Sequence, residues 1–204
     1  GVIFVKIRSG NTVELSSQKV NGCELLMNLA GANILGSWTK EYKARLRQSR
    51  LETTSLLVDA LTACEYPPHT FLNASAVGIY DAYHQHDEFS SYFADDFLSS
   101  LVQDWEYAAF RAQSERTRVC AMRFGVVYAD GGGAMCKLLL PFKFGFGGKM
   151  GDGFRMISWI HLEDLVSASA FLIDHHEIQG AVNLTSPEPI SNLEQTKAIG
   201  RILD

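Results

Sequence analysis

Short apolar runs alternate along the chain with longer segments in which apolar residues recur every three or four positions. The short runs predict β-strands at Val2–Ile7, Leu25–Ala30, Thr70–Ala74, Val119–Phe124, Met156–Ile160 and Ala181–Leu184. The runs from Leu25 and from Val119 are continuously apolar rather than alternating, which is typical of strands buried on both faces of a sheet.

The longer segments predict four helices. They cover residues 40–63, about Asp95 to Gln113, a segment that follows His161, and Ser191 to the end of the chain. Thr39 is a candidate N-cap for the first helix, and Ser191 with Glu194 three residues later forms a capping box for the last. Strands that alternate with helices predict an α/β fold, a parallel sheet flanked by helices.

Length and composition indicate one ordinary globular domain. The chain has 204 residues, of which 47% are hydrophobic and 20% charged. Eighteen basic against 23 acidic residues give a net charge of −5 without a basic run, so nucleic acid is not expected as a partner. No run approaches the roughly 18 consecutive apolar residues of a membrane span, so no membrane partner is expected either.

The potential metal ligands are scattered. The four cysteines at 23, 64, 120 and 136 form no close pair, and His84-Gln85-His86-Asp87 lacks a second ligand pair to complete a metal site. We therefore predict no metal centre, reduced thiols and a cytoplasmic location, while a leader upstream of Gly1 stays open.

Candidate chemistry follows two of the predicted strands. Asn28-Leu29-Ala30-Gly31 ends one strand with a small-residue turn, and Ser75 and Tyr80 follow the next. At the carboxyl edge of a parallel sheet, such a Ser–Tyr pair polarises a carbonyl and moves a proton. The alternative is that Ser75 caps a turn and Tyr80 packs at the rim. His161 is similarly either a general base or a helix cap.

The order of several further segments resembles a known family. They are Asn28–Gly31, Ser49-Arg50 with Thr53-Thr54, Ser75–Tyr80, Trp105-Glu106, Arg123–Val127, Gly131–Met135, Pro141–Gly153 and Trp159–Leu165. In this order they resemble the extended short-chain dehydrogenase/reductase superfamily, and within it the epimerase-like subfamily described as NAD-dependent epimerase/dehydratase-like.

The resemblance implies a Rossmann-like sheet that binds NAD or NADP and a small-molecule substrate. It implies that Asn28, Leu29, Ala30 and Gly31 lie beside the adenosine half of the cofactor. It further implies that Ser75 is the active-site hydroxyl and contacts the cofactor, and that Phe124, Gly125 and Val126 approach the nicotinamide. Tyr80 is the second candidate catalytic residue because of its place after the strand, not because of the resemblance. A homodimer is a further possibility, because the superfamily often pairs through two long helices.

The sequence departs from the superfamily in its catalytic pair. A Tyr followed four residues later by Lys is usual, but those places fall on Leu98 and Val102, which do not ionise. Two functions therefore stay open. One is an NAD(P)-dependent epimerase or oxidoreductase, and the other is a catalytically silent dinucleotide-binding or regulatory protein.

A second departure concerns the phosphate-binding loop. Nothing before Asn28 supplies a strand, Gly-rich turn and helix start, and the glycines at 145, 148 and 151 are not followed by a helix pattern. We expect a truncated member whose first βαβ unit lies upstream of Gly1 and whose chain continues beyond Asp204, so that residues 1–204 alone bind the cofactor weakly. Residues 1–204 would form one partial NAD(P)-binding domain, with residues 131–158 and 185–204 on the substrate side.

Overall fold

A computed structural model of the chain describes residues 17–203. Its helices are α1 Ser17–Val20, α2 Lys40–Thr62, α3 Phe97–Phe110, α4 Gly133–Lys143, α5 Leu162–Asp174 and α6 Asn192–Leu203. Its strands are β1 Leu25–Asn28, β2 Thr70–Ala76, β3 Arg118–Phe124, β4 Val126–Ala129, β5 Met156–Ile157, β6 Trp159–His161, β7 Gly180–Leu184 and β8 Ile190–Ser191. The predicted strand at Val2–Ile7 lies outside the described residues.

Four parallel strands form the main sheet in the order β1-β2-β3-β7. One face packs against α2 and α3, where Phe71 and Val119 are fully buried. The other face packs against α5, where Leu72 and Cys120 are fully buried. The helix-flanked parallel sheet confirms the predicted α/β fold. Of the two continuously apolar runs, that of β3 is buried on both faces as predicted, whereas β1 is the first strand of the described sheet and only its Asn28 is buried.

Side-chain caps fix where three helices begin. The hydroxyl of Thr39 accepts from the amide of Tyr42 at 3.2 Å, as its position before α2 predicted. Ser191 and Glu194 form the predicted reciprocal capping box, because each side chain accepts from the backbone amide of the other. His161 accepts from the amide of Glu163 and is therefore the N-cap of α5.

The prediction of one strand over Met156–Ile160 is wrong. The segment divides at Ser158 into β5, which pairs antiparallel with β8, and β6, which pairs parallel with β4. The chain changes partner sheet at this point, and a run of apolar residues does not record such a change.

The helix α4 was not predicted from the sequence. Its flanking glycines and the internal Pro141 are residues that usually interrupt helices. None of its residues is buried. Among the helices of residues 17–203, none combines the length and apolar character needed to cross a membrane.

A buried arginine joins the central strand β3 to the end of α5. The Arg118 guanidinium donates to the carbonyls of Leu172 and Ile178 and, at 3.0 Å, to the hydroxyl of Thr70. The carbonyls at a helix C-terminus have no partners within the helix, so a cation from the sheet satisfies them and complements the helix dipole.

We predict that Arg118→Met lowers the free energy of unfolding by about 2–4 kcal/mol, because buried carbonyls lose their donors. Urea denaturation followed by circular dichroism measures the change. Arg116→Met is the matched control, since Arg116 is exposed and its guanidinium donates to the carbonyl of Glu65 at 3.0 Å. Equal losses in the two variants would contradict a capping role for Arg118.

Candidate functional site

Three polar side chains stand level with one another near the carboxyl edge of the main sheet. Ser75 on β2 is in register with Arg123 on β3, which is in register with Asn183 on β7. Residues in register on parallel strands project to the same face. The strands therefore bring a hydroxyl, a guanidinium and an amide into one row beneath α3.

Glu106 on α3 lies over this row and binds two of its members. Its carboxylate accepts from the Ser75 hydroxyl at 2.5 Å and from Nε and Nη2 of Arg123, both at 2.8 Å. The two bonds from Arg123 make the ion pair bidentate. Glu106 and Arg123 are 6% and 5% exposed, so the pair is almost completely shielded from water. Burial opposes the charge of Arg123, but the hydrogen bonds and charge of Glu106 outweigh it and raise the pKa of Arg123.

Tyr80 completes the network from the turn that follows β2. Its hydroxyl accepts from Nη1 of Arg123 at 2.6 Å and lies 2.9 Å from Oδ1 of Asn183 and 3.0 Å from the carbonyl of Asp87. Its ring stacks on that of His86 with centroids 4.6 Å apart. Ser75 and Tyr80, the two candidate catalytic residues, are thus joined through Glu106 and Arg123.

Glu106, Arg123 and Asn183 are functional candidates that the sequence pattern alone did not predict. The available signal was a charged residue inside an otherwise apolar pattern: Arg123 near the end of a buried strand, and Glu106 directly after Trp105 on the apolar stripe of α3. Charged residues are buried only when they are paired, so two such positions predict each other.

Asn28 has a structural task at the end of β1. Its side chain accepts from the amide of Ala30 at 3.1 Å and donates to Asn73 and Thr54 at 2.7 and 3.0 Å. Trp105 also donates to the Thr54 hydroxyl, at 2.8 Å. These bonds fix the turn so that its next residues emerge at the sheet edge.

Leu29, Ala30 and Gly31 form this turn. Leu29 is 61% exposed and Gly31 is also exposed, so the turn presents its backbone outside the carboxyl end of β1. In an open parallel sheet this is where ligands bind. The position fits a nucleotide cofactor in contact with residues 29–31, while the side chain of Asn28 is already occupied.

Gly125 marks the place where the chain leaves the main sheet after Phe124. Its amide donates to the carbonyl of Leu184 at 3.1 Å, and the amide of Val126 donates to that of Ser158 at 2.8 Å. A Cβ on Gly125 would lie 2.9 Å from the same Ser158 carbonyl. The close approach therefore requires glycine, and Val126 directly after it is exposed.

The positions where the superfamily usually has Tyr and Lys are apolar in space as well as in sequence. Leu98 lies against Gly78, a residue of the segment that joins Ser75 to Tyr80 along the chain. Val102 is buried and lies one helical turn before Glu106 on α3. Neither moves a proton. Proton transfer at this edge would fall to Ser75, Tyr80 or water.

The loop after Tyr80 is organised by Asp81. Burial of Asp81 opposes its ionisation, but hydrogen bonds from Tyr83 and His84 outweigh this and lower its pKa to about 2. One oxygen also lies 3.3 Å from Nε2 of His86. Within residues 17–203, no group of three or more His, Cys, Asp or Glu side chains has the geometry of a metal site.

Four parallel strands between helices, with polar groups gathered at their carboxyl ends, define a Rossmann-like α/β protein. The sequence matches the NAD dependent epimerase/dehydratase family over residues 2–185. The chain belongs to this family, which confirms the resemblance found in its motifs.

Individual relatives agree with this assignment. An epimerase family protein of Staphylococcus haemolyticus is 40% identical over 171 residues, which are 83% of this chain and 57% of that protein. One of Staphylococcus aureus strain N315 is 39% identical over 168 residues, 81% of this chain and 56% of that protein. The chain thus spans a little over half the length of these curated relatives.

Solved structures show the same fold. The crystal structure of a human epimerase family protein with NADPH has a TM-score of 0.82 at 37% identity, covering 89% of this chain and 63% of that one. A nucleoside-diphosphate sugar epimerase from Corynebacterium glutamicum has a TM-score of 0.77 at 31% identity, covering 92% of this chain and 41% of that one.

We predict that Glu106→Leu and Arg123→Met each lower the free energy of unfolding by about 3–5 kcal/mol, because each leaves a buried charge without its partner. The double variant should cost much less than the sum. Denaturant titration of the four proteins gives the coupling energy.

The matched control is Asp104→Asn on the same helix as Glu106, which breaks the half-exposed pair between Asp104 and Arg47 of α2. It should change stability by no more than about 1 kcal/mol. Additive losses for Glu106 and Arg123 would contradict the coupling.

We predict that Asp81 contributes to stability only above its folded-state pKa. The pKa of about 2 lies below the ordinary value of 3.8, so the contribution is present above about pH 4 and is lost as the pH falls towards 2. Asp81→Asn removes it. Between these pH values the thermal unfolding temperature should fall more steeply for the native protein than for Asp81→Asn. Parallel declines for the native protein and Asp81→Asn would contradict the prediction.

Proposed function

We propose that the protein binds NAD or NADP and acts as an epimerase or oxidoreductase on a small-molecule substrate. The observation that carries the proposal is the Ser75–Glu106–Arg123–Tyr80 network at the carboxyl edge of the sheet. Support also comes from the human relative, whose crystal structure contains NADPH. A bound nicotinamide ring would accept or return a hydride at this edge.

The cofactor would lie along the turn at residues 29–31 and along Phe124, Gly125 and Val126. These two segments follow β1 and β3, which flank β2, so they border the strand that carries Ser75. Ser75 would then contact the cofactor as well as the substrate. The side chain of Asn28 would act indirectly, by holding the turn.

The hydrogen bonds of Ser75 determine how it would act. A hydroxyl has one proton to donate, and that of Ser75 is directed at Glu106, whose charge is held by Arg123. In this arrangement the Ser75 oxygen would therefore act towards the substrate as a hydrogen-bond acceptor. This suits a substrate hydroxyl, which is the group that loses its proton when a carbonyl forms.

Tyr80 is the second candidate. Its hydroxyl already accepts from Arg123, and its own proton has acceptors at Asn183 and at the carbonyl of Asp87. To exchange a proton with a substrate, it would release one of these acceptors. Arg123 would serve as the positioning residue for both hydroxyls through its contacts with Glu106 and Tyr80.

We place the substrate side on residues 131–158 and 185–204. The two ranges pack together: β5 pairs with β8, and the amides of Met150 and Leu193 donate to Asn192 Oδ1 and the carbonyl of Gly153 at 2.6 and 2.9 Å. Residues 1–204 would thus form one partial NAD(P)-binding domain with this region at its edge.

A catalytically silent dinucleotide-binding or regulatory protein is the second candidate function. Leu98 and Val102 favour it, because neither residue ionises where the superfamily usually has its Tyr and Lys. In that case the network around Glu106 would stabilise the sheet edge without turnover.

We further propose a cytoplasmic homodimer. The four cysteines are free thiols, which fits a reducing compartment. For the dimer, α2 and α3 lie side by side and are joined by the Arg47–Asp104 and Arg111–Asp59 ion pairs, with Leu56 and Tyr107 exposed on their outer surface.

We predict that the full-length protein quenches or enhances the fluorescence of NADPH or NADH on binding, and turns over a nucleotide sugar or ketone from a broad panel. Ser75→Ala should keep cofactor binding but reduce turnover by about a hundredfold or more, the usual contribution of a positioned proton-transfer group. Ser169→Ala on α5, whose hydroxyl donates to the carbonyl of Leu165, is the control.

The results separate the two functions. Cofactor binding without turnover on any substrate would favour the silent binding protein. Full activity in Ser75→Ala would remove Ser75 from the mechanism, and absence of cofactor binding would overturn both functions.

A further inference from the structure

Arg50 on α2 carries a half-buried positive charge that no carboxylate neutralises within residues 17–203. Within these residues, the side-chain hydrogen bonds of Arg50 use one nitrogen, Nη1. It donates to the carbonyls of Ala32 and Leu46 at 3.2 and 3.3 Å. Burial lowers the pKa of Arg50, because it disfavours the charged form. A desolvated guanidinium with two unused nitrogens is complementary to an anion.

The position of Arg50 relative to the sheet follows from its helix. Thr54, one turn later on α2, bonds Asn28 at the end of β1. The helix runs back along the sheet, so Arg50 lies about 6 Å further out, beyond the carboxyl end of β1. The guanidinium packs over the ring of Trp105, 5.1 Å from its centroid, which holds it at this place.

Gly31 contributes a second feature of the same place. A Cβ built on Gly31 would lie 3.1 Å from Cζ and 3.3 Å from Nη2 of Arg50, so the absence of a side chain lets the guanidinium approach the turn. The amides of Ala30 and Ala32 are bonded to Asn28 and Ser49. Among the described residues, the amide of Gly31 between them donates to no protein atom.

We propose that Arg50 and the amide of Gly31 form a phosphate-binding site at the end of β1. A phosphoryl group has several oxygens at one centre, so it can accept from the planar guanidinium and the adjacent amide together. The site deepens the proposed function and rests on it. The phosphate is part of a diphosphate, either the pyrophosphate of the dinucleotide or that of a nucleotide substrate.

The test compares Arg50→Gln with the native protein, using the full-length chain. Fluorescence titration measures the Kd of NADPH, calorimetry measures that of uridine diphosphate, and both are repeated with rising KCl. We expect Arg50→Gln to raise the Kd of one of the two ligands about tenfold or more, because a charge-assisted hydrogen bond is lost. The salt dependence of that Kd should become flatter. Loss for NADPH alone assigns the site to the cofactor, and loss for uridine diphosphate alone assigns it to the substrate.

Arg47→Gln is the matched control. Arg47 lies three residues earlier on the same helix but is paired with Asp104, so its replacement should leave both affinities within about twofold. Arg50→Lys keeps the charge without the planar fork and should lose less than Arg50→Gln. Arg50→Met keeps an unbranched apolar side chain beside Trp105 and replaces Arg50→Gln if that variant fails to fold.

The outcomes separate this inference from the proposed function. If the native protein binds NADPH or uridine diphosphate, and the uncharged variants bind both equally well at every salt concentration, the phosphate site is wrong while the proposed function stands. If the native protein binds neither ligand, the proposed function fails and the phosphate site fails with it.

Discussion

An ionised carboxylate and a guanidinium are each very unfavourable in an apolar interior, and this constraint governs the carboxyl edge of the sheet. Glu106 and Arg123 meet it by forming two parallel hydrogen bonds to each other, with both side chains almost completely buried. Glu106 accepts one further hydrogen bond from Ser75, and Arg123 donates one further hydrogen bond to Tyr80. The hydroxyls of Ser75 and Tyr80, the two candidate catalytic groups, are thus held in place by the Glu106–Arg123 pair.

The pair also links different parts of the fold. Glu106 comes from α3 and Arg123 from β3, while Tyr80 belongs to the turn after β2 and bonds Asn183 on β7. One helix and three strands are therefore fixed relative to one another at this edge. A second buried network, Asn28 with Thr54, Asn73 and Trp105, fixes β1 to both helices of the same face. Each buried side-chain nitrogen and oxygen of the two networks has a hydrogen-bond partner, so each network favours one arrangement of the elements.

Much of the fold was predictable from local signals, whereas the site was predictable only in part. Continuous apolar runs identified β1 and β3, and capping residues located the starts of α2 and α6. The helix α4 was missed because Pro141 and the flanking glycines usually interrupt helices, and the division at Ser158 was missed because an apolar run does not record a change of partner strand. Ser75 and Tyr80 were found because they follow a strand. Glu106 and Arg123 needed a pairing across strand and helix, which spacing along the chain does not encode.

The crossing at Gly125 links two sheets through a single residue. After β3, the backbone at Gly125 passes within contact distance of the backbone at Ser158. The amides of Gly125 and Val126 donate to the carbonyls of Leu184 and Ser158. The segment therefore has little freedom to act as a hinge. Any motion that opens or closes the edge over a ligand therefore has to occur outside this segment.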